Sequence, residues 1–184
     1  IRKNFSMLFS RSTTDGQKID CTSSLESLYA GDSDPSSCIL LGGGPYINSL
    51  KSKTLRAIKD SGVPIFGMNY SGRGKDGRGF RLKPDFWCSF DPTGRFSPNV
   101  FRDPTITKFI RSGRSMDLVP GESGKLCDMP NTYFVDMGYR GFSNFFDPKA
   151  ETINHSLDSF IMAMDIAYRI GFRKFYCLGT EFRI

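Results

Sequence analysis

Continuous apolar runs, rather than alternating ones, punctuate the middle and the end of this chain. Cys38-Ile39-Leu40-Leu41 is the first. An unbroken run of this kind, bounded by turn residues, predicts a strand buried on both faces. Gly42-Gly43-Gly44-Pro45 follows at once, and Ile47, Leu50, Leu55 and Ile58 then recur at helical spacing as far as Gly62. Pro45 suits the first turn of that helix, because the amide hydrogen it lacks would have had no intrahelical partner. Val63 to Asn69 predicts a second strand. Strand, glycine turn, helix and strand make a βαβ unit with a right-handed connection.

Beyond Pro84 the same texture returns. Pro84 to Asp91 predicts a third strand, stopped by the turn Asp91-Pro92-Thr93-Gly94. Asp103-Pro104 predicts a short helix through Phe109 and Ile110, with Asp103 as its cap. Short strands are expected at 115–119 and 132–136. Leu157, Phe160, Ile161, Met164, Ala167, Tyr168 and Ile170 trace a helical stripe that Gly171 ends, and Lys174 to Leu178 predicts a last strand running into Gly179-Thr180-Glu181-Phe182. Residues 1–37, rich in Ser, Thr, Asp and Gly, read as an arm or linker that docks in places, and 38–184 as one α/β domain. The chain opens on Ile1 and closes on Ile184, and is expected to be a piece of a longer polypeptide that holds an incomplete domain.

Composition narrows the functional classes. The 184 residues are 39% hydrophobic and 24% charged, ordinary values for a globular protein, and no run approaches the ~18 apolar residues of a membrane span. The net charge of +6 is a modest excess, which makes nucleic acid an unlikely partner. Much of it falls in 71–83, where Arg73, Lys75, Arg78, Arg81 and Lys83 face Asp76 alone among four glycines. That stretch is either a solvated loop or a clamp for an anion, with Arg73, Arg78 and Arg81 as the candidates. The five cysteines show no metal-binding spacing, so no metal site is assigned. Cys38, Cys88 and Cys177 lie in apolar runs and read as core residues in a reducing, cytoplasmic setting. His155 is the one imidazole, which leaves no room for chemistry that needs two.

The candidate chemistry lies at strand ends. In a doubly wound sheet, ligand groups come from the carboxyl ends of the strands. Four such ends are polar directly after an apolar run: the turn Gly42, Gly43 and Gly44, then Asn69, Asp91 and Glu181. Each has an ordinary reading as a turn or surface residue; together they point to a binding crevice. The glycine turn lets backbone approach a phosphate or ribose, but it matches neither GxGxxG nor a P-loop. No catalytic residue is assigned.

These residues carry a resemblance. Leu41-Gly42-Gly43-Gly44-Pro45, then Asn69, then Asp91-Pro92 resemble the G-x-G-P, Asn and Asn/Asp-Pro positions of bacterial lipooligosaccharide sialyltransferases. Motility accessory factors and hydroxymethylpterin-diphosphokinase-like proteins share those positions. His155-Ser156-Leu157, the following helix, and Ile170 to Phe182 are similar to the family's T-S-G and A-x-x-x-G-[FY]-K-x-I-x-L-x-G-x-D-[FL] segment. The likeness spans about 38–91 and 153–182. It implies a Rossmann-like, three-layer fold, with a mostly parallel sheet and helices on both faces. A nucleotide sugar of the cytidine type would lie among the glycine turn, Asn69, Asp91 and Ser156, and a glycan would be the acceptor. The family's usual Ser-Leu after G-x-G-P is Tyr46-Ile47 here, and Arg183 stands where a transferase tyrosine is expected. Two other outcomes therefore stay open: a non-catalytic interaction module, or a pterin diphosphokinase-like enzyme with Mg²⁺ held by Asp91 and Glu181.

Overall fold

In the computed structural model, residues 9–12, 18–20, 36–71, 81–91, 96–139, 147, 150–155 and 158–180 are described. The strands are β1 (Phe9–Ser12), β2 (Lys18–Asp20), β3 (Ser37–Leu41), β4 (Ile65–Met68), β5 (Phe86–Ser89), β6 (Thr107–Arg111), β7 (Thr132–Val135), β8 (Met137–Gly138), β9 (Ile153–Asn154) and β10 (Lys174–Leu178). The helices are α1 (Tyr46–Ser49), α2 (Ser52–Asp60), α3 (Pro98–Arg102) and α4 (Ser159–Ile170). One sheet runs β10-β3-β4-β5-β6-β7-β1-β2, and its first six strands are parallel to one another. Two pieces of the N-terminal arm dock on its far edge, β1 antiparallel to β7 and β2 antiparallel to β1.

The two faces of the sheet carry separate cores. Cys38, Leu40, Phe66, Phe86, Cys88, Phe109 and Tyr133 lie against Met162, Ala163 and Ile166 of α4. On the opposite face, Ile39, Leu41 and Ile65 meet Ile47 and Leu82, while Trp87, Ile110 and Phe134 meet Val100 and Phe101 of α3. This layering follows from handedness. From β3 to β7 each connection steps one strand in the same direction, whereas the connection into β10 returns across the sheet to the other side of β3. Right-handed crossovers in opposite directions must lie on opposite faces, and α4 lies opposite α1 and α3. The expected Rossmann-like α/β fold, with helices on both faces, is what forms. Among the described residues no helix is long and apolar enough to cross a membrane.

Several local expectations are corrected. The helix after the glycine turn is two helices, because Leu50 is extended (ψ 132°) and the break is closed by Arg81, whose Nη1 and Nη2 donate to the carbonyls of Ile47 and Leu50. The stretch 107–111 is strand, not helix: Asp103 Oδ1 accepts from the Thr105 N–H and hydroxyl, a turn that ends α3 and launches β6. The expected strand 115–119 is a turn with one bridge, Leu118 to Lys125. On α4 the buried face includes Ser159, Met162, Ala163, Ile166 and Ile170, with Asp165 and Arg169 buried beside it, while Phe160, Ile161, Met164 and Tyr168 are half-buried. Cys177, expected in the core, is exposed, because β10 is an edge strand; Cys38 and Cys88 are buried. Burial first, then proximity to Cys177, pushes the Cys38 thiol up to about 12, which disfavours the reactive thiolate.

A lysine occupies the core of β6. Lys108 is fully buried and its Nζ donates to the carbonyls of Phe101 (3.1 Å) and Asp103 (2.8 Å) at the end of α3. Burial lowers its pKa from 10.5 to about 8, with the Asp103 carboxylate opposing that change. Between those values the unfolded chain binds more protons than the folded one, so stability rises with pH across that window. Each tenfold loss of proton affinity is worth about 1.4 kcal/mol, so a contribution of about 3–4 kcal/mol is expected across the window. The buried thiols of Cys38 and Cys88, held above their usual range, act in the opposite sense above about pH 9, so the gain is read as a difference. The unfolding free energy of the parent minus that of Lys108→Met, from urea unfolding, should grow by this amount between pH 8 and 10.5, and a difference that stays constant with pH would overturn the assignment to Lys108.

Candidate functional site

The crevice lies where the chain reverses its direction across the sheet, at the carboxyl ends of β10, β3 and β4. This is the place where the loops of neighbouring strands part and leave room for a ligand. Its volume is about 390 Å³, and it is lined by Gly42 and Gly43 after β3, Met68 to Tyr70 after β4, Gly179 and Thr180 after β10, and Asp158 to Phe160 at the start of α4.

Asn69 is the hub of the site. Its φ of 50° is left-handed, a conformation that asparagine accepts more readily than most residues. Its side-chain Oδ1 accepts from the Ser89 hydroxyl (2.7 Å) and the Ser159 hydroxyl (2.9 Å). Those serines in turn accept the N–H groups of Asp91 (3.1 Å) and Phe90 (2.9 Å), so each hydroxyl proton is directed at Asn69. Its backbone carbonyl accepts from Trp87 Nε1 at 3.1 Å. The network ties β4, β5 and α4 together. It also saturates the amide oxygen and leaves the Asn69 Nδ2 hydrogens without a partner among the described residues, on a residue that lines the crevice.

The two glycine turns pack on each other. Gly42 N–H donates to the Leu178 carbonyl (2.9 Å) and Gly44 N–H to that of Gly179 (2.8 Å). A side chain at Gly42 would strike the Gly179 carbonyl, so protein packing alone demands that glycine. Gly43 is different. It lines the crevice, nothing lies within 4 Å of where its Cβ would be, and its N–H has no partner among the described residues. The short α1 supplies no helix dipole of useful length behind the turn, contrary to the expectation of a long helix there.

Asp91 stands after β5 and is linked to Asn69 through Ser89; it is not part of the crevice lining. Arg81 braces the break between α1 and α2. Arg73, Arg78, Ser156 and Glu181 lie outside the described residues. Among the described residues no three acidic, histidine or cysteine side chains converge as metal ligands.

Sequence reasoning missed Ser89, Asp158, Ser159 and Tyr70. Asp158 accepts the Phe160 N–H at 2.5 Å and so caps α4. A polar residue directly ahead of the helical stripe was the signal for it. Tyr70 is 44% exposed and packs on Phe96 at 5.1 Å between centroids. His155 stacks on Phe90 at 4.6 Å; burial, then the nearby Arg111 charge, holds its pKa below the usual value. No protein-family model, curated protein or solved structure matches the chain.

Proposed function

We propose that this chain is a glycosyltransferase-like domain that holds a nucleotide sugar, of the cytidine type, in the crevice at the ends of β10, β3 and β4, for transfer to a glycan. The observation that carries the nucleotide part is the pairing of Gly43 with Asn69. A bare backbone N–H beside open space offers a seat for a phosphate, and an amide whose oxygen is already saturated offers two further donors. The choice of cytidine and of sugar transfer is supported by the resemblance of the order of motifs to that of bacterial sialyltransferases.

Titration calorimetry with CMP and a CMP-sugar tests the reading. The chain should bind both. Gly43→Ala should leave the unfolding free energy within about 1 kcal/mol, since the φ is ordinary and the space is free, while weakening CMP by about tenfold through the methyl group in the phosphate seat. No binding at millimolar nucleotide, or unchanged affinity in Gly43→Ala, would sink it. Binding that appears only with Mg²⁺ would favour the diphosphokinase-like reading, with Asp91 and Glu181 as ligands.

A further inference from the structure

We infer that the crevice has a fixed polarity: Asp158 reads the vicinal hydroxyls of a ribose at the α4 end, and the phosphate lies at the Gly43 end. The inference rests on the nucleotide reading and adds an orientation and a selectivity to it.

Among the described residues that line the crevice, Asp158 is the only one with a charged side chain. One carboxylate oxygen accepts the Phe160 N–H at 2.5 Å; the other has no partner among the described residues. The positive end of the α4 dipole is therefore already matched by a carboxylate. A phosphate placed there would face that like charge; Asp158 is exposed, so the repulsion is partly screened but still disfavours that end. The Gly43 turn offers a donor, open space and no carboxylate, so the phosphate belongs at that end.

The hydrogen-bond inventory then selects what Asp158 binds. An ionised carboxylate only accepts, so its partner must donate. Asn69 Nδ2, which lines the same crevice, only donates, so its partner must accept. A vicinal diol satisfies both, because each hydroxyl donates one hydrogen bond and accepts others. Ser159 cannot take the place of either group, since its hydroxyl is engaged with Phe90 and Asn69.

The test compares CMP, 2′-deoxy-CMP and 2′,3′-dideoxy-CMP by calorimetry on the full chain and on Asp158→Ser. Serine caps a helix about as well as aspartate, so the melting temperature should stay the same while the second carboxylate oxygen is lost. The full chain should prefer CMP over the dideoxy analogue by about tenfold or more, the worth of a charge-assisted hydrogen bond. Asp158→Ser should bring CMP to the level of the dideoxy analogue and leave the analogue itself nearly unchanged. Equal affinities in the full chain, or a preference that survives Asp158→Ser, overturn the assignment while nucleotide binding stands. So does an Asp158-dependent preference for CMP over UMP, which would show the base amino group to be the donor. If none of the nucleotides binds, the nucleotide reading itself fails.

Discussion

Asp165→Ala is expected to lower the unfolding free energy by about 3–5 kcal/mol, the loss that follows when one partner of a buried ion pair is removed. Asp165 and Arg169 lie one turn apart on α4 with side chains 0% and 1% exposed, and Arg169 Nε donates to Asp165 Oδ1 at 3.2 Å. Asp165 Oδ2 accepts the Asn154 N–H at 2.7 Å. The Arg169 terminal nitrogens donate to the carbonyls of Ala150, Asp147 and Thr152. Truncating the carboxylate leaves a guanidinium in the core with no counter-charge and strips a buried N–H of its acceptor. At about 2–4 °C per kcal/mol for a chain of this size, the melting temperature should fall by about 10 °C. The double variant Asp165→Ala with Arg169→Leu should be less destabilised than the sum of the singles, because no charge is then stranded. A loss below about 1 kcal/mol in the single variant would show that water reaches the pair.

That pair also shows where the sequence was legible and where it was not. The strands from β3 to β5, and β10, were readable because each is a short apolar run, a pattern that needs no partner to be recognised. Asn69 was readable as a strand end for the same reason. The buried face of α4 was harder, because two of its side chains are charged. Asp165 and Arg169 look like solvent-facing residues until the carbonyls at 147–152 are known to converge on them, and those lie far away along the chain. The split after the glycine turn was hidden likewise: Arg81, read as an anion-binding residue, satisfies carbonyls more than thirty positions earlier. The half of the site contributed by Ser89 and Ser159 consists of small hydroxyls whose role exists only once β5 and α4 meet Asn69.

Gly179→Ala is expected to cost about 2–4 kcal/mol, from two separable causes. Its φ of +68° is left-handed, which penalises any residue with a Cβ by about 1–2 kcal/mol. The new methyl would also overlap the end of the Ile47 side chain, an overpacking cost of about 1–3 kcal/mol. Adding Ile47→Ala should remove the overlap and leave the backbone penalty, together with the cavity made by the smaller side chain. Gly42→Ala should resist such rescue: its methyl would press on the Gly179 carbonyl and come within 2.9 Å of Thr180 Cγ2, and backbone cannot be trimmed away. Because Gly42 and Gly179 both line the crevice, either substitution should weaken CMP together with the fold, whereas Gly43→Ala should weaken CMP alone. Urea unfolding and CMP titration on the three variants separate these outcomes. Stability within about 0.5 kcal/mol of the parent in Gly42→Ala and Gly179→Ala would mean that the two turns do not meet as closely as this packing requires.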